Sequence, residues 1–188
     1  MRIITWNCNM AFRKKWPIIL AFKPDILVLQ ECEHPSKYKP HQVIPDANEF
    51  LWFGKNINKG VAILSFHGYH IKKAKDYLRD FKYVIPIKVT GTQQLDLFAI
   101  WAMPDNKKAN GYVGQIWNAL QYYTISKQHP TILIGDFNSN AQWDESRKIG
   151  NHSQVVQLLQ QKNIESIYHV KTKEIPSKET LPLSLIHI

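Results

Sequence analysis

Six short apolar runs constrain this chain more than any other feature. They are "RIITWN" (2 to 7), "DILVLQE" (25 to 31), "GVAILSF" (60 to 66), "YVIPIKVT" (83 to 90), "LDLFAIW" (95 to 101) and "TILIGDFN" (131 to 138). Each is rich in Ile, Val, Leu and Phe, is bounded by Gly, Pro, Asp or Asn, and is too short for an ordinary helix, so each predicts a strand. Three stretches, two between them and one after, carry helical spacing instead: "FRKKWPIILAF" (12 to 22), "GYVGQIWNALQYYTISKQ" (111 to 128) and "SQVVQLLQQKN" (153 to 163). Pro17 inside the first suggests that its helix begins near that residue. Strand, helix, strand at the start predicts a right-handed parallel crossover. The runs on either side of "GTQQ" predict an antiparallel hairpin. The sheets are therefore expected to be mixed. No repeat or Gly/Ser linker divides the chain, which predicts one α/β domain over residues 1 to 188.

A chain of 188 residues that is 44% hydrophobic can build a substantial core. Its formal charge of +9 points to an anionic partner, nucleic acid or another phosphate compound before a membrane. The opening "MRIITWNCNM" carries neither a secretory signal nor a membrane span, and no other stretch reaches spanning length. Cys8 and Cys32 are too few for a disulfide framework and read as buried thiols in a reducing compartment. The expectation is a cytoplasmic monomer.

Where the apolar runs end, chemistry begins. The run at 2 to 7 closes on Asn7, that at 25 to 31 on Glu31, and that at 131 to 138 on Asp136 and Asn138. Period-two geometry predicts that Asp136 and Asn138 share one side of an extended segment, about 7 Å apart at their Cα atoms. A carboxylate at the end of an apolar strand is costly to desolvate unless it is paired, coordinated or at the open end of the sheet. Three such ends suggest convergence, because ligands gather at strand ends in mixed and parallel sheets. Carboxylates and amides form an all-oxygen donor set suited to Mg²⁺ or Mn²⁺.

In this order and spacing, "ITWNCN", "PDILVLQE", "KGVAILS" and "ILIGDFNSN" resemble the motifs of the endonuclease/exonuclease/phosphatase superfamily, over residues 2 to about 140 and more weakly to 170. The resemblance implies a two-sheet, mixed-β sandwich flanked by helices, of the deoxyribonuclease-I type. It implies hydrolysis of a phosphate ester by an activated water, with charge stabilised by metal and hydrogen-bond donors. Carried over position by position, Glu31 is the principal metal ligand and Asn7 its neighbour. Asp136 orients or deprotonates water, and Asn138 donates to a phosphate oxygen. Nucleic acid is the leading substrate on charge grounds. A phosphomonoester, inositol phosphate or lipid headgroup is the rival, and a non-catalytic anion binder the third reading.

The chain departs from the family pattern in two places. Many members carry His or Tyr where Trp101 stands, so Trp101 either lends its N–H to a phosphate or simply packs at the strand end. Tyr112 and Gln115 are candidate substitutes in substrate binding. The family's His-Ile-Asp-Tyr-like strand and Ser-Asp-His motif do not occur. His152 and His169 come too early for the latter and read as helix-start or surface residues. Ile186, His187 and Ile188 are either the opening of the former or an unrelated tail. The chain thus resembles a C-terminally truncated member, expected to show little activity alone. Trp52 and Trp143 lie near predicted loops that could border a substrate groove.

Overall fold

All six apolar runs form strands in a computed structural model, which describes residues 1–39, 42, 44, 46–106, 111–126, 128–146, 149–174 and 178–180. The strands are β1 (Ile3–Asn7), β2 (Ile26–Cys32), β3 (Glu49–Asn56), β4 (Lys59–Ser65), β5 (His70–Lys73), β6 (Val84–Thr90), β7 (Leu95–Trp101) and β8 (Thr131–Asp136). The helices are α1 (Phe12–Leu20), α2 (Val113–Tyr122), α3 (His152–Gln161) and α4 (Ile167–Thr172). They fall into two compact units, Met1–Met103 with Ile125–Phe137, and Pro104–Thr124 with Asn138–Ile188.

The first unit is a sandwich of two mixed sheets. One has the order β1-β2-β4-β3, with β1 parallel to β2 and the rest antiparallel; the other has the order β5-β6-β7-β8, with β7 parallel to β8. Alternation assigns every side chain a face. Ile26 and Val28 of β2 and Val61 and Ile63 of β4 point into the core between the sheets, where they meet Ile85, Ile87, Leu97 and Ala99. Leu27 and Leu29, with Ala62 and Leu64, point outward and are covered by Phe12, Trp16, Ile19 and Leu20 of α1. With both faces buried, β2 and β4 read as unbroken apolar runs.

β8 differs from the sequence expectation of a strand buried on both faces. It lies at the edge of its sheet among the described residues and is only partly buried along its length. The sequence reading also missed β3 and β5. The aromatic segment "EFLWFGKN" sits directly after a Pro-rich stretch that reads as loop, while "HIKK" offers one apolar residue, Ile71.

α1 begins at Phe12 rather than near Pro17. Its N-cap, Ala11, has no capping side chain. The buried carboxylate of Glu33 serves instead, accepting from the backbone N–H of Phe12 and Arg13 at 3.1 Å each. A cap brought from 20 residues away leaves no local signature, and it outweighs the one helical hydrogen bond that Pro17 removes.

The second unit contains α2, α3, α4 and a 3-10 stretch over Ala141–Ser146. α2 buries Gly114, Gln115, Ile116, Ala119 and Leu120 and packs with α3. α3 is capped twice. Asn151 accepts from the N–H of Gln154 at 2.9 Å, and Asp144 accepts from the N–H of His152 at 2.8 Å and of Ser153 at 3.1 Å. α4 was not expected from the sequence; Ser166 caps it. Ile186, His187 and Ile188 lie outside the described residues. No described helix is long and apolar enough to cross a membrane.

Candidate active site

In β1, Ile3 packs into the core between the sheets while Ile4 and Trp6 pack on the outer face, so Asn7 falls on the inner face with Ile3 and Thr5. Strict alternation would send Glu31 the other way, outward with Leu27 and Leu29. A bulge prevents this. Leu29 pairs with Ala62 but Cys32 pairs with Gly60, so three steps along β2 answer two along β4. The extra residue turns Glu31 over, with φ at 53°, and returns Cys32 to the outer face. Glu31 Oε1 then accepts from Asn7 Nδ2 at 3.3 Å. Asn7 Oδ1 accepts from the N–H of Asn9 at 3.1 Å, which fixes the amide's orientation.

Lys59, which the sequence reading did not single out, joins this pair. It opens β4, which runs antiparallel to β2, so the start of one strand meets the end of the other. Its Nζ lies 3.9 Å from Glu31 Oε2 and 5.6 Å from the centroid of the Trp101 ring. The available signal was the strand direction: once "KGVAILS" is paired antiparallel to "ILVLQEC", its first residue must stand at the polar end.

Trp101 is 1% exposed, belongs to the core between the sheets, and sits 5.0 Å from the ring of Tyr83. This environment matches the packing alternative for Trp101 rather than a donor reaching substrate; its ring serves as a wall beneath Lys59. Asp136 pairs with Trp101 across the parallel β7 and β8, and it follows Ile132 and Ile134 on the face that packs against the core. Gly135 allows this approach. Its φ is 138°, and a Cβ there would stand 2.0 Å from the carbonyl oxygen of Ile100.

The period-two argument for Asn138 does not hold. β8 ends at Asp136, and Asn138 has φ at 43°, so the backbone leaves the extended conformation between them. Asn138 belongs to the second unit, as do Tyr112, Gln115, His152 and His169. Tyr112 is exposed at the start of α2. Gln115 is fully buried, and among the described residues neither polar atom of its amide has a hydrogen-bond partner. His152 opens α3, and its Nδ1 lies 2.9 Å from Ser139 Oγ. Burial holds that imidazole below the usual histidine range, against the opposing pull of Asp144 and Glu179.

Among the described residues of the first unit, two groupings compete for a cation. Glu31 and Asn7 offer hard oxygen donors at an accessible strand end, which fits Mg²⁺ or Mn²⁺. Cys8, Cys32 and Glu33 also place potential ligand atoms within 4.8 Å of one another, all buried. The second grouping is structural. Glu33 is saturated by two backbone N–H groups and by Arg13 Nη1 at 2.7 Å. The neighbouring Cys8 thiol and burial push the Cys32 thiol far up, which keeps it protonated.

A model of the endonuclease/exonuclease/phosphatase family matches residues 4–169. The chain belongs to this family. As a member of the endonuclease/exonuclease/phosphatase family, it is placed among phosphoesterases, and the family resemblance read from the sequence is borne out. Solved structures agree on the fold. The endonuclease domain of TRAS1, a telomere-specific non-LTR retrotransposon, is 15% identical with a TM-score of 0.56, covering 85% of this chain and 71% of that one. A humanized D. rerio TDP2 is 18% identical with a TM-score of 0.56, covering 79% and 66%. A 3'-5' exonuclease from Neisseria meningitidis is 23% identical with a TM-score of 0.52, covering 85% and 69%. No curated protein sequence matches.

Proposed function

We propose that this family member is a divalent-metal-dependent phosphodiesterase, with nucleic acid as substrate and residues 1 to 188 acting as one domain. The observation that carries the reading is the bulge at Glu31. It turns a carboxylate out of its regular register and onto the amide of Asn7, at a backbone angle that a side-chain-bearing residue adopts only at a cost. Glu31 and Asn7 would hold Mg²⁺ or Mn²⁺, which when bound supplies positive charge to the phosphoryl oxygens. Asp136, on the core-facing side of β8, orients the attacking water and accepts its proton. Asn138 donates its amide N–H to a phosphate oxygen, which fixes the reacting centre. Lys59 lends a fixed positive charge beside Glu31. The substrate assignment is supported by the net charge of +9 and by the endonuclease and exonuclease among the structural neighbours. A cytoplasmic location and monomeric state belong to the same reading.

Mn²⁺ titration followed by electron paramagnetic resonance tests the metal assignment: Glu31→Gln is expected to lose the site, and equal affinity in both proteins sinks it. Plasmid nicking compared with phosphate release from inositol phosphates tests the substrate class. Metal-dependent release without nicking would transfer the assignment to a phosphomonoesterase.

A further inference from the structure

The second unit contains a cavity of about 670 Å³, a size typical of ligand pockets, which run to roughly 300–1,000 Å³. Two aromatic side chains in its lining remain largely open to solvent, Tyr112 at 47% and Trp143 at 60%. Exposed Tyr and Trp in a concave surface mark a place where a flat apolar partner is received. Between them the lining is rich in carboxamides, from Asn106, Asn138, Asn140 and Asn151.

The charge of this lining narrows the ligand. Among its described residues there is no Lys or Arg, and its ionisable members are Asp105, Asp144 and His152. Burial keeps His152 below the usual histidine range, so it adds no positive charge at neutral pH. Asp144 is occupied in holding the start of α3, through His152 N, Ser153 N and Ser153 Oγ at 2.8, 3.1 and 2.5 Å. Beside the phosphate oxygen assigned to Asn138, the rest of this lining offers aromatic faces and carboxamides. It suits a neutral, planar group with hydrogen-bonding edges. Aromatic faces stack on nucleobases of any sequence, and a carboxamide carries both the donor and the acceptor that a base edge presents.

The groove is also held in shape by its own hydrogen bonds. Ser139 Oγ lies 2.9 Å from His152 Nδ1, Asn140 Oδ1 accepts from Gln142 N at 2.9 Å, and Asn151 Oδ1 accepts from Gln154 N at 2.9 Å. A wall fixed before binding loses little entropy on binding.

We propose that this groove receives an unpaired nucleobase between Tyr112 and Trp143, which makes single-stranded or locally unpaired nucleic acid the preferred substrate. The proposal rests on the reading of the protein as a nucleic-acid phosphodiesterase and adds the form of nucleic acid to it.

The test compares two dye-labelled probes in the full chain with EDTA present: an eight-nucleotide oligo-dA, and an eight-unit abasic strand with the same phosphates. The oligo-dA is expected to bind at least about tenfold tighter, the scale of one base stacked on an aromatic ring. Trp143→Ala and Tyr112→Ala should each remove most of that difference, and Trp143→Phe should restore it, with circular dichroism confirming the fold of each variant. Equal affinity for the two probes in the wild type overturns the proposal, as does full base dependence in the double variant. Competition by a free monosaccharide but not by adenosine also overturns it, by assigning the groove to a sugar. The two readings separate cleanly. Base-dependent binding without metal-dependent cleavage refutes the hydrolase and leaves the groove standing, whereas cleavage with equal probe affinities refutes the groove alone.

Discussion

Glu31 is held in the left-handed backbone region, with φ at 53°, inside a bulge that aims its carboxylate at Asn7. Two substitutions separate the backbone's cost from the side chain's use. Glu31→Ala and Glu31→Gly both remove the carboxylate, its 3.3 Å bond to Asn7 and its 3.9 Å pairing with Lys59, so these losses cancel in the comparison. What differs is the Cβ. Alanine keeps the left-handed penalty of about 1–2 kcal/mol, and glycine escapes it while losing about 0.5–1 kcal/mol through the freedom of its unfolded chain. The net expectation is that the Gly variant is more stable than the Ala variant by about 0.5–1 kcal/mol, a difference of about 1–4 °C in melting temperature for a chain of this size. Urea unfolding midpoints resolve it, provided the slopes agree. Both variants should lose Mn²⁺ binding. If Ala at position 31 proves as stable as Gly, the bulge relaxes without its glutamate and the fold does not impose the strain. If the Gly variant hydrolyses substrate with metal, the carboxylate is not the ligand.

Four further outcomes follow from single contacts. Gly135→Ala would bring a Cβ to 2.0 Å from the Ile100 carbonyl at a φ of 138°, so a loss of at least about 2 kcal/mol in chemical denaturation is expected. Glu33→Gln leaves Arg13 without its buried partner at 2.7 Å and weakens the cap on α1, with an expected loss of about 1.5–3 kcal/mol and reduced helical circular dichroism. Lys59→Gln removes a charge 3.9 Å from Glu31, and its repulsion of a bound cation, about 1 kcal/mol in a water-like dielectric, predicts Mn²⁺ binding up to about fivefold tighter at low salt, the gain shrinking in 0.5 M salt. Burial depresses the His152 pKa in the folded state, so below its ordinary value of 6.5 the unfolded chain binds a proton that the native one resists; stability should fall as pH drops beneath that value, and His152→Gln should flatten the decline in thermal scans between pH 7 and 5.

The parts of the fold that were legible in the sequence were those governed by local pattern. β2 and β4 announce themselves because burial on both faces leaves no polar interruption, and α2 and α3 because their apolar residues recur at helical spacing. The illegible parts depend on distant partners. α1 starts where Glu33 caps it, and β5 exists because Ile71 and its neighbours pair with β6, neither of which is encoded in the segment itself. For the site, the residue types at the strand ends were readable, but their directions were not. Alternation puts Asn7 and Asp136 on the inner face, would assign Glu31 to the wrong one, and fails for Asn138 because the chain turns after Asp136.

The bulge explains why one irregularity in β2 is worth its strain. Asn7 and Glu31 end two adjacent parallel strands, whose regular register brings Asn7 opposite Gln30, and Gln30 is already bonded to Thr5 on the inner face. A regular strand would put Glu31 among Leu27, Leu29 and Phe12, where its charge would be desolvated without a partner. Inserting a residue there moves the carboxylate out of the apolar layer and toward Asn7, and lets Cys32 take the apolar position beside Cys8 instead. β2 ends at Cys32, and Glu33, the residue after it, turns to the side of α1, where it caps Phe12 and Arg13. The bulge and the end of the strand together separate two acidic residues that stand two apart in sequence, sending Glu33 to hold a helix and Glu31 to the site. A variant that restores regular alternation through Glu31 would return its carboxylate to the apolar layer, so Mn²⁺ titration should show the site lost in that variant.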